Sequence, residues 1–474
     1  MKNFFSLSIT ILGIFLIGYH VFQLWTSHHS SFHQDEYQHV HMAWNVLSGK
    51  LIYRDFFDTH GPLSAWIFSG LLKIKSGAIA SIDSLFYLRN ICLSFLYLSF
   101  VLLFCCLQLF TPNLALNLIA LALFAGQLTI QVTAFRIRPD VFMLASFLSF
   151  LIFWMRQRRF FAGIFLGVTI GLNPKFIFFN VPILIFDLLN KLKSENSSKE
   201  GNPPKINKIQ TSRFALLAGE LLVFILISCI QAFQGNLVDS LDSQFLNNFR
   251  VVALRVPFSG NRFALLRGFL ELDSLLLFCY LGFIGWISFL IYRRHIDWSQ
   301  NFKLVLMLSV CGLLQLAAPM SHHGTLLSLP CFIMLMSYVV DRALSKKIWG
   351  QSLFLILAIL TAAISYQQLP KYNSSQPNLR SLSKALSELP RTEPIFYIWP
   401  NRCPAYIFNS DHGKYWGNLV QTPEMDSGRD INRFLDPQIK WVAIDDVLFP
   451  FLLPTERDYL TNHFVKSDCL WQRK

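Results

Sequence analysis

Charge is scarce in this chain. Of 474 residues, 15% are Asp, Glu, Lys or Arg against 53% hydrophobic, and Phe alone fills 46 positions. Soluble domains carry about a quarter charged residues, so this composition, with a mean hydropathy of +0.43, excludes an ordinary water-soluble fold. Concentrated basic charge is also lacking. The formal net charge is +13, but the Lys and Arg are scattered over short loops between apolar runs. That excludes a nucleic-acid surface and fits the positive-inside rule and contact with lipid phosphates. The nine cysteines include no CxxC pair, which removes the common thiolate metal and redox motifs. Seven of them fall in apolar segments as small filler. Cys403 and Cys469 lie in the polar tail, where pairing requires a non-cytosolic location. No A-x-A pattern follows the first apolar run, Phe4 to about Trp25. With Lys2 ahead of it, the run reads as an uncleaved signal anchor with a cytosolic N-terminus.

What is present is a succession of apolar runs, near the length a helix needs to cross hydrocarbon. The pattern predicts an all-α polytopic membrane protein of about eleven spans. They fall at Phe4–Leu24, Leu85–Phe110, Leu114–Ala134, Val141–Met155, Phe160–Leu172, Phe176–Leu189, Phe214–Phe233, Leu275–Tyr292, Leu304–Ala318, Leu326–Val340 and Ile348–Tyr366. The fifth and sixth are short and meet at Asn173-Pro174-Lys175. The apolar stretch Ser64–Ile74 is too short to cross and is expected at the interface.

Charge orients the spans. With the N-terminus inside, the cytosolic loops are Arg156–Arg159, Lys191–Arg213, Arg293–Lys303 and Arg342–Lys347, all basic. The second, rich in Ser, Asn, Lys and Pro, is expected to be a disordered linker. The organisation is then a transmembrane part, 1–366, with a first exterior loop at 26–84 and a cytosolic linker at 191–213, followed by an exterior soluble α/β domain at 367–474. In that domain Pro394–Trp399 and Lys440–Asp445 read as strands. Ser381–Leu389 and Glu456–Phe464 read as helices. Its role is either a lid or packing cap, or a part in catalysis.

The ionisable residues gather on the exterior side. Asp35, Glu36, Asp55, Asp58 and His60 lie in the first exterior loop. Arg136, Arg138, Asp140, Lys175, Arg250, Arg255, Arg262, Arg267, His322 and His323 fall in later exterior loops. Carboxylates at the mouth of the first span are expensive without a partner or a task. Basic residues on this side run against the positive-inside tendency. Either they bind a lipid-borne phosphate, through charge-assisted hydrogen bonds, or they snorkel and pair with neighbouring acids. Glu36 is either catalytic or a structural partner to a nearby Arg, and Asp140 is either a site residue or a cap of the fourth span. His39 and His41 are near Asp35, but a spacing of two directs them to different helix faces. No metal site and no cofactor is expected.

Asp35-Glu36, then Tyr53-Arg54-Asp55-Phe56-Phe57-Asp58 and Gly61-Pro62-Leu63, resemble the first exterior loop of the C-type (GT-C) membrane glycosyltransferases, in particular bacterial relatives of protein O-mannosyltransferases and aminoarabinose transferases. Arg138-Pro139-Asp140, the run Gly171-Leu-Asn-Pro-Lys175, His322-His323 with Leu329-Pro330, and the tail from Tyr459 to Trp471 extend the resemblance over nearly the whole chain. It implies transfer of a sugar from a polyprenyl-phosphate carrier to an acceptor outside the cytosol, at the exterior or periplasmic face of the cell (inner) membrane. It also implies inversion at the anomeric carbon. Asp35 is then the general base, with Glu36 and Asp58 as further catalytic carboxylates. Arg54, His60, Arg138, Lys175, His322 and His323 are the implied substrate and lipid-phosphate ligands. Where many relatives carry a Lys before the Pro-Leu, this chain has His60 and Gly61, which removes a fixed cation. Two other readings remain open: a non-enzymatic transporter of lipid-linked sugars, and an assembly subunit. A transporter is expected to carry charge through the depth of its helices, whereas here charge clusters at one face.

Overall fold

Backbone in hydrocarbon must satisfy its own hydrogen bonds, so long apolar runs are expected to close into helices. In the computed structural model they do. It describes residues 34–55, 60–76, 82–133, 136–199, 214–242, 299–317, 323–344 and 348–368, parts of 18–25, and, near the C-terminus, 395–398, 416–417, 440–444, 454–467 and 470–474.

In chain order the helices are α1 Gln34–Leu47, α2 Pro62–Ser76, α3 Ile82–Phe110, α4 Leu114–Ala125, α5 Leu128–Thr133, α6 Asp140–Met155 and α7 Arg159–Leu172. A 3-10 turn, Pro174–Phe176, leads into α8 Ile177–Lys199. Then follow α9 Ala215–Phe233, α10 Leu237–Leu241, α11 Gln300–Ala317, α12 His323–Leu344 and α13 Ile348–Gln368. Among the described residues, two helices are long and apolar enough by themselves to cross a membrane, Ser84–Phe110 and Ala215–Phe233; among the shorter apolar helices are Leu114–Ala125, Asp140–Met155 and Arg159–Leu172. The first and eighth expected spans lie wholly or largely outside the described residues.

Three expectations are corrected. The run Leu114–Ala134 is not one helix: it stops at Ala125 and restarts at Leu128. Gly126 at the break lies against α13, where a Cβ would come within 3.1 Å of the Ala362 Cβ. Second, α8 continues through Lys199, nine residues into the stretch expected to be disordered; residues 200–213 lie outside the described set. The polar end of α8 needs no apolar face once an established helix is propagating. Third, Asp140 does not cap α6. The cap is Pro139 and Asp140 is the first helical residue, where the helix dipole favours a carboxylate.

The core is mostly aliphatic and phenylalanine. α7 is central: it packs on α6 to one side and on α9 to the other. Against α9 it presents glycines one turn apart. A Cβ on Gly163 would overlap the Leu216 carbonyl, one on Gly167 would meet Val223, and one on Gly171 would meet Ile227. From α9, Gly219 answers against the Phe160 carbonyl. Small residues at this period let two helix backbones approach closely where no hydrophobic force distinguishes helix from lipid. On the α6 side Phe153 stacks on Phe165, with ring centroids 5.3 Å apart. At the end of the bundle expected to face the cytosol, Asn113 Nδ2 donates to Asp341 Oδ1 at 3.0 Å.

The C-terminal segments form a five-stranded mixed sheet from β1 Ile395–Ile398, β2 Trp416–Gly417, β3 Trp441–Ile444, β4 Phe464–Ser467 and β5 Leu470–Arg473, with helix α14 Pro454–His463. The order is β2-β1-β3-β5-β4. β1 is parallel to β2 and β3, and β5 is antiparallel to β3 and β4. The sequence locates β1, β3 and α14 within a residue or two. The β4–β5 hairpin goes beyond it, and its alternation is weak: Phe464 and Trp471 are buried while Val465 is exposed. The helix expected at Ser381–Leu389, and Cys403 and Cys469, lie outside the described residues.

Candidate active site

Four stretches far apart in sequence meet where the starts of α1, α3 and α6 approach the C-terminal end of α7. Glu36 holds the first three. It sits in the opening turn of α1, fully buried, and Arg89 reaches it from α3. Arg89 Nε donates to Glu36 Oε1 at 2.8 Å and Nη2 donates to Oε2 at 2.7 Å. Glu36 Oε1 also accepts the Ile137 backbone N–H at 3.1 Å. One carboxylate thus ties α1 and α3 to the loop that carries Arg136 and Arg138. In that loop Arg138 Nε lies 3.0 Å from Asp140 Oδ2, both side chains being nearly inaccessible.

The fourth stretch arrives through His60 and Gly61. Gly61 N–H donates to the Leu172 carbonyl at 3.0 Å, at the C-terminal end of α7. A Cβ on Gly61 would overlap the Gly171 carbonyl, so the contact requires glycine. Its own carbonyl accepts from Ser64 Oγ at 2.8 Å, which starts α2. The His60 ring meets His39 edge-on, centroids 4.6 Å apart. His39 follows Asp35 by about one turn of α1. Just past Leu172, Asn173 is extended, φ −148° and ψ 108°, and Pro174 begins the 3-10 turn that includes Lys175. Pro disfavours helix at the residue before it, so this sequence breaks the helix after Leu172. Irregular backbone at such depth is tolerated where it is buried in protein or lines a cavity.

The loop after α1 is held separately. Asp55 Oδ2 accepts the Leu51 N–H at 2.7 Å and Asp55 N–H donates to the Leu51 carbonyl at 2.9 Å. Tyr53 is left-handed, φ 72°, a strained state for an aromatic residue, and its hydroxyl donates to the His60 carbonyl at 2.5 Å. Asn236 Nδ2, from the α9–α10 corner, donates to the Ile52 carbonyl at 2.8 Å.

Of the residues expected from sequence, Glu36, His60 and Arg138 are drawn into this convergence. Arg54 is half-exposed and pairs with its neighbour Asp55 at 3.2 Å. The backbones of Asp35, Lys175 and His323 are helical but their side chains lie outside the described set; Asp58 and His322 lie outside it altogether. Arg89 is absent from the sequence expectations. Its signal was present: a lone Arg inside an apolar run, which in hydrocarbon calls for a partner.

A helical bundle with these convergent loops, followed by a small mixed sheet, has the fold of the C-type (GT-C) membrane glycosyltransferases. Two solved structures carry the likeness. One is the oligosaccharyltransferase of Archaeoglobus fulgidus in complex with zinc and sulfate, with a TM-score of 0.55 and 12% identity, covering 96% of this chain and 71% of that one. The other is ArnT of Cupriavidus metallidurans bound to undecaprenyl phosphate, with a TM-score of 0.53 and 12% identity, covering 99% of this chain and 98% of that one. In sequence, no family model and no curated protein matches.

Proposed function

We propose that this protein is a membrane glycosyltransferase that moves a sugar from a polyprenyl-phosphate carrier to an acceptor outside the cytosol, with inversion. The observation that carries the reading is the meeting of the Asp35 helix with the Arg138 loop and the Leu172–Lys175 break, through Glu36 and Gly61. A transfer of this kind needs a base on one side of the sugar and cations at the leaving phosphate on the other. Likeness of fold to an enzyme whose structure holds undecaprenyl phosphate supports the choice of carrier.

In this mechanism Asp35 accepts the acceptor's proton as the new bond forms. A free Asp has a pKa of about 3.9, too low to ionise an alcohol beforehand, so its help comes in the transition state. Lys175, with Arg138 and the His322–His323 pair, stabilises the charge that grows on the departing phosphate. Asp58 orients sugar or acceptor, and His60 and Arg54 are further contacts to substrate or lipid phosphate. Glu36 is a positioning residue, since both of its oxygens hold other parts of the protein. The chain crosses the inner membrane about eleven times, with 367–474 outside beside the site.

Mass spectrometry of lipid extracts from cells with and without the protein identifies the donor and product. Transfer is then assayed with purified protein in bilayers. Asp35→Asn is expected to abolish transfer while leaving the protein abundant and folded. Near-normal turnover in that variant defeats Asp35 as the base and moves the test to Asp58. Transport of the intact carrier lipid without sugar transfer favours the transporter reading.

A further inference from the structure

A carboxyl group that the proposed chemistry does not use lies deep between α8 and α9. Glu220, on the second turn of α9, and Asn180, on the first turn of α8, are both 4% exposed. Asn180 Nδ2 donates to Glu220 Oε1 at 2.5 Å. The other two polar atoms, Glu220 Oε2 and Asn180 Oδ1, are buried with no hydrogen-bond partner among the described residues. With an ionised carboxyl, both of these atoms are acceptors that lack a donor. Protein interiors avoid that state, and an ionised carboxylate with no cation beside it is costlier still in hydrocarbon. Among the described residues no ion pair brings a cation to it, and from α7 Gly163 and Gly167 face the Glu220 main chain.

One proton satisfies both atoms. A neutral carboxyl donates through Oε2–H, the amide carbonyl accepts, and with the existing N–H bond this closes an acid–amide ring. The unpaired atoms are the two that such a ring joins. We propose that Glu220 carries a proton in the folded protein and pairs with Asn180 in this ring. The neutral clasp fixes the start of α8, a little over one turn past Lys175, against α9, itself seated on α7 by the glycine contacts. Glu220 is thus a positioning residue for Lys175. That last step rests on the phosphate-binding reading of Lys175; the proton does not.

Infrared difference spectra of the purified full-length protein in bilayers, wild type minus Glu220→Gln, test the proton. The expected result is loss of a protonated-carboxyl C=O band, and a shift of that band in Asn180→Leu. Loss of a carboxylate band pair instead overturns the proposal and assigns the missing donor to a bridging water. Undecaprenyl phosphate binding tests the positioning. Glu220→Gln, which supplies an N–H where the acid supplies an O–H, is expected to bind as the wild type does. Glu220→Leu is expected to bind more weakly with its helix content intact. A Glu220→Gln variant as weak as Lys175→Ala means that a charged carboxylate is needed, and the proposal fails. If the acid band is present but no variant, nor the wild type, binds the lipid, the proton stands and the donor reading falls.

Discussion

Arg89 grips Glu36 with two parallel donors, Nε at 2.8 Å and Nη2 at 2.7 Å, and neither side chain reaches solvent. The third bond to that carboxylate, from Ile137 N–H, makes the pair a three-way joint and not a local salt bridge. In a buried pair of this kind desolvation offsets much of the attraction. Losing one member strands the other charge in a dry site, and that is costly.

Arg89→Ala or Glu36→Ala is therefore expected to destabilise the protein by about 3–5 kcal/mol. The double variant Glu36→Leu/Arg89→Leu should cost less than the sum of the single changes. The reciprocal exchange, Glu36→Arg with Arg89→Glu, should recover little, since Ile137 N–H would then face a guanidinium. Thermal unfolding in detergent or bilayers measures all four. Additive losses would mean that the two residues act separately.

The α7–α9 interface gives a second test. Gly163→Leu forces side-chain atoms into the Leu216 backbone and is expected to cost about 1–3 kcal/mol or more by overpacking. Gly70, midway along α2, has nothing within 4 Å of a built Cβ. Gly70→Ala should be neutral or gain about 0.5–1 kcal/mol through the lost flexibility of glycine in a helix. Equal effects in unfolding scans would remove the special role of the α7–α9 contact.

Sequence periodicity and length placed most of the described helices within a few residues, because long apolar stretches in hydrocarbon have little alternative to helix. The break at Gly126 carried only a weak signal, one glycine inside an apolar run. The tight contact there, with a built Cβ 3.1 Å from the Ala362 Cβ, lies more than two hundred residues away in the chain and could not be read locally. Arg89 was hidden for a different reason. Judged by average hydropathy, one Arg is lost among its apolar neighbours, and only its partner on α1 explains it. Glu36 was visible as a site candidate but not its role, because two adjacent acids look alike until one is seen to be gripped. The Gly61 contact with Leu172 was half legible: the His-Gly-Pro turn and the Asn-Pro-Lys break each stood out, but their meeting did not.

Topology is testable without knowing any substrate. Positive charge on the loops after Met155 and Asn190 predicts that these are cytosolic and that the tail beyond Tyr366 is exterior. An impermeant thiol reagent should label Cys403 from outside in intact spheroplasts, unless it is paired with Cys469, in which case labelling appears only after reduction. A tag inserted at 205 should be reached only after lysis. Labelling of Cys403 solely from the cytosolic side would move the whole candidate site to the other face.

The last prediction concerns the carrier phosphate. Lys175 follows the break at Asn173-Pro174, close in the chain to the Leu172 carbonyl that Gly61 holds. Arg138 stands in the loop fixed by Glu36 and faces Asp140 at 3.0 Å. If both cations meet one phosphate, each removal costs a charge-assisted hydrogen bond, about 1.5–3 kcal/mol, or on the order of ten- to a hundredfold in affinity. Lys175→Ala is expected to show that loss cleanly. Arg138→Ala should show at least as much, since it also removes a cation 3.0 Å from Asp140, and the double variant should be weaker than either single one. Native mass spectrometry with undecaprenyl phosphate gives the affinities, and circular dichroism confirms that the helices persist. Unchanged affinity in both single variants would reassign the phosphate to Arg250, Arg255, Arg262 or Arg267 and leave Arg138 as a structural partner of Asp140. Loss in Arg138→Ala alone, with Asp140→Asn restoring binding, would make the uncovered carboxylate the cause and deny Arg138 a phosphate contact.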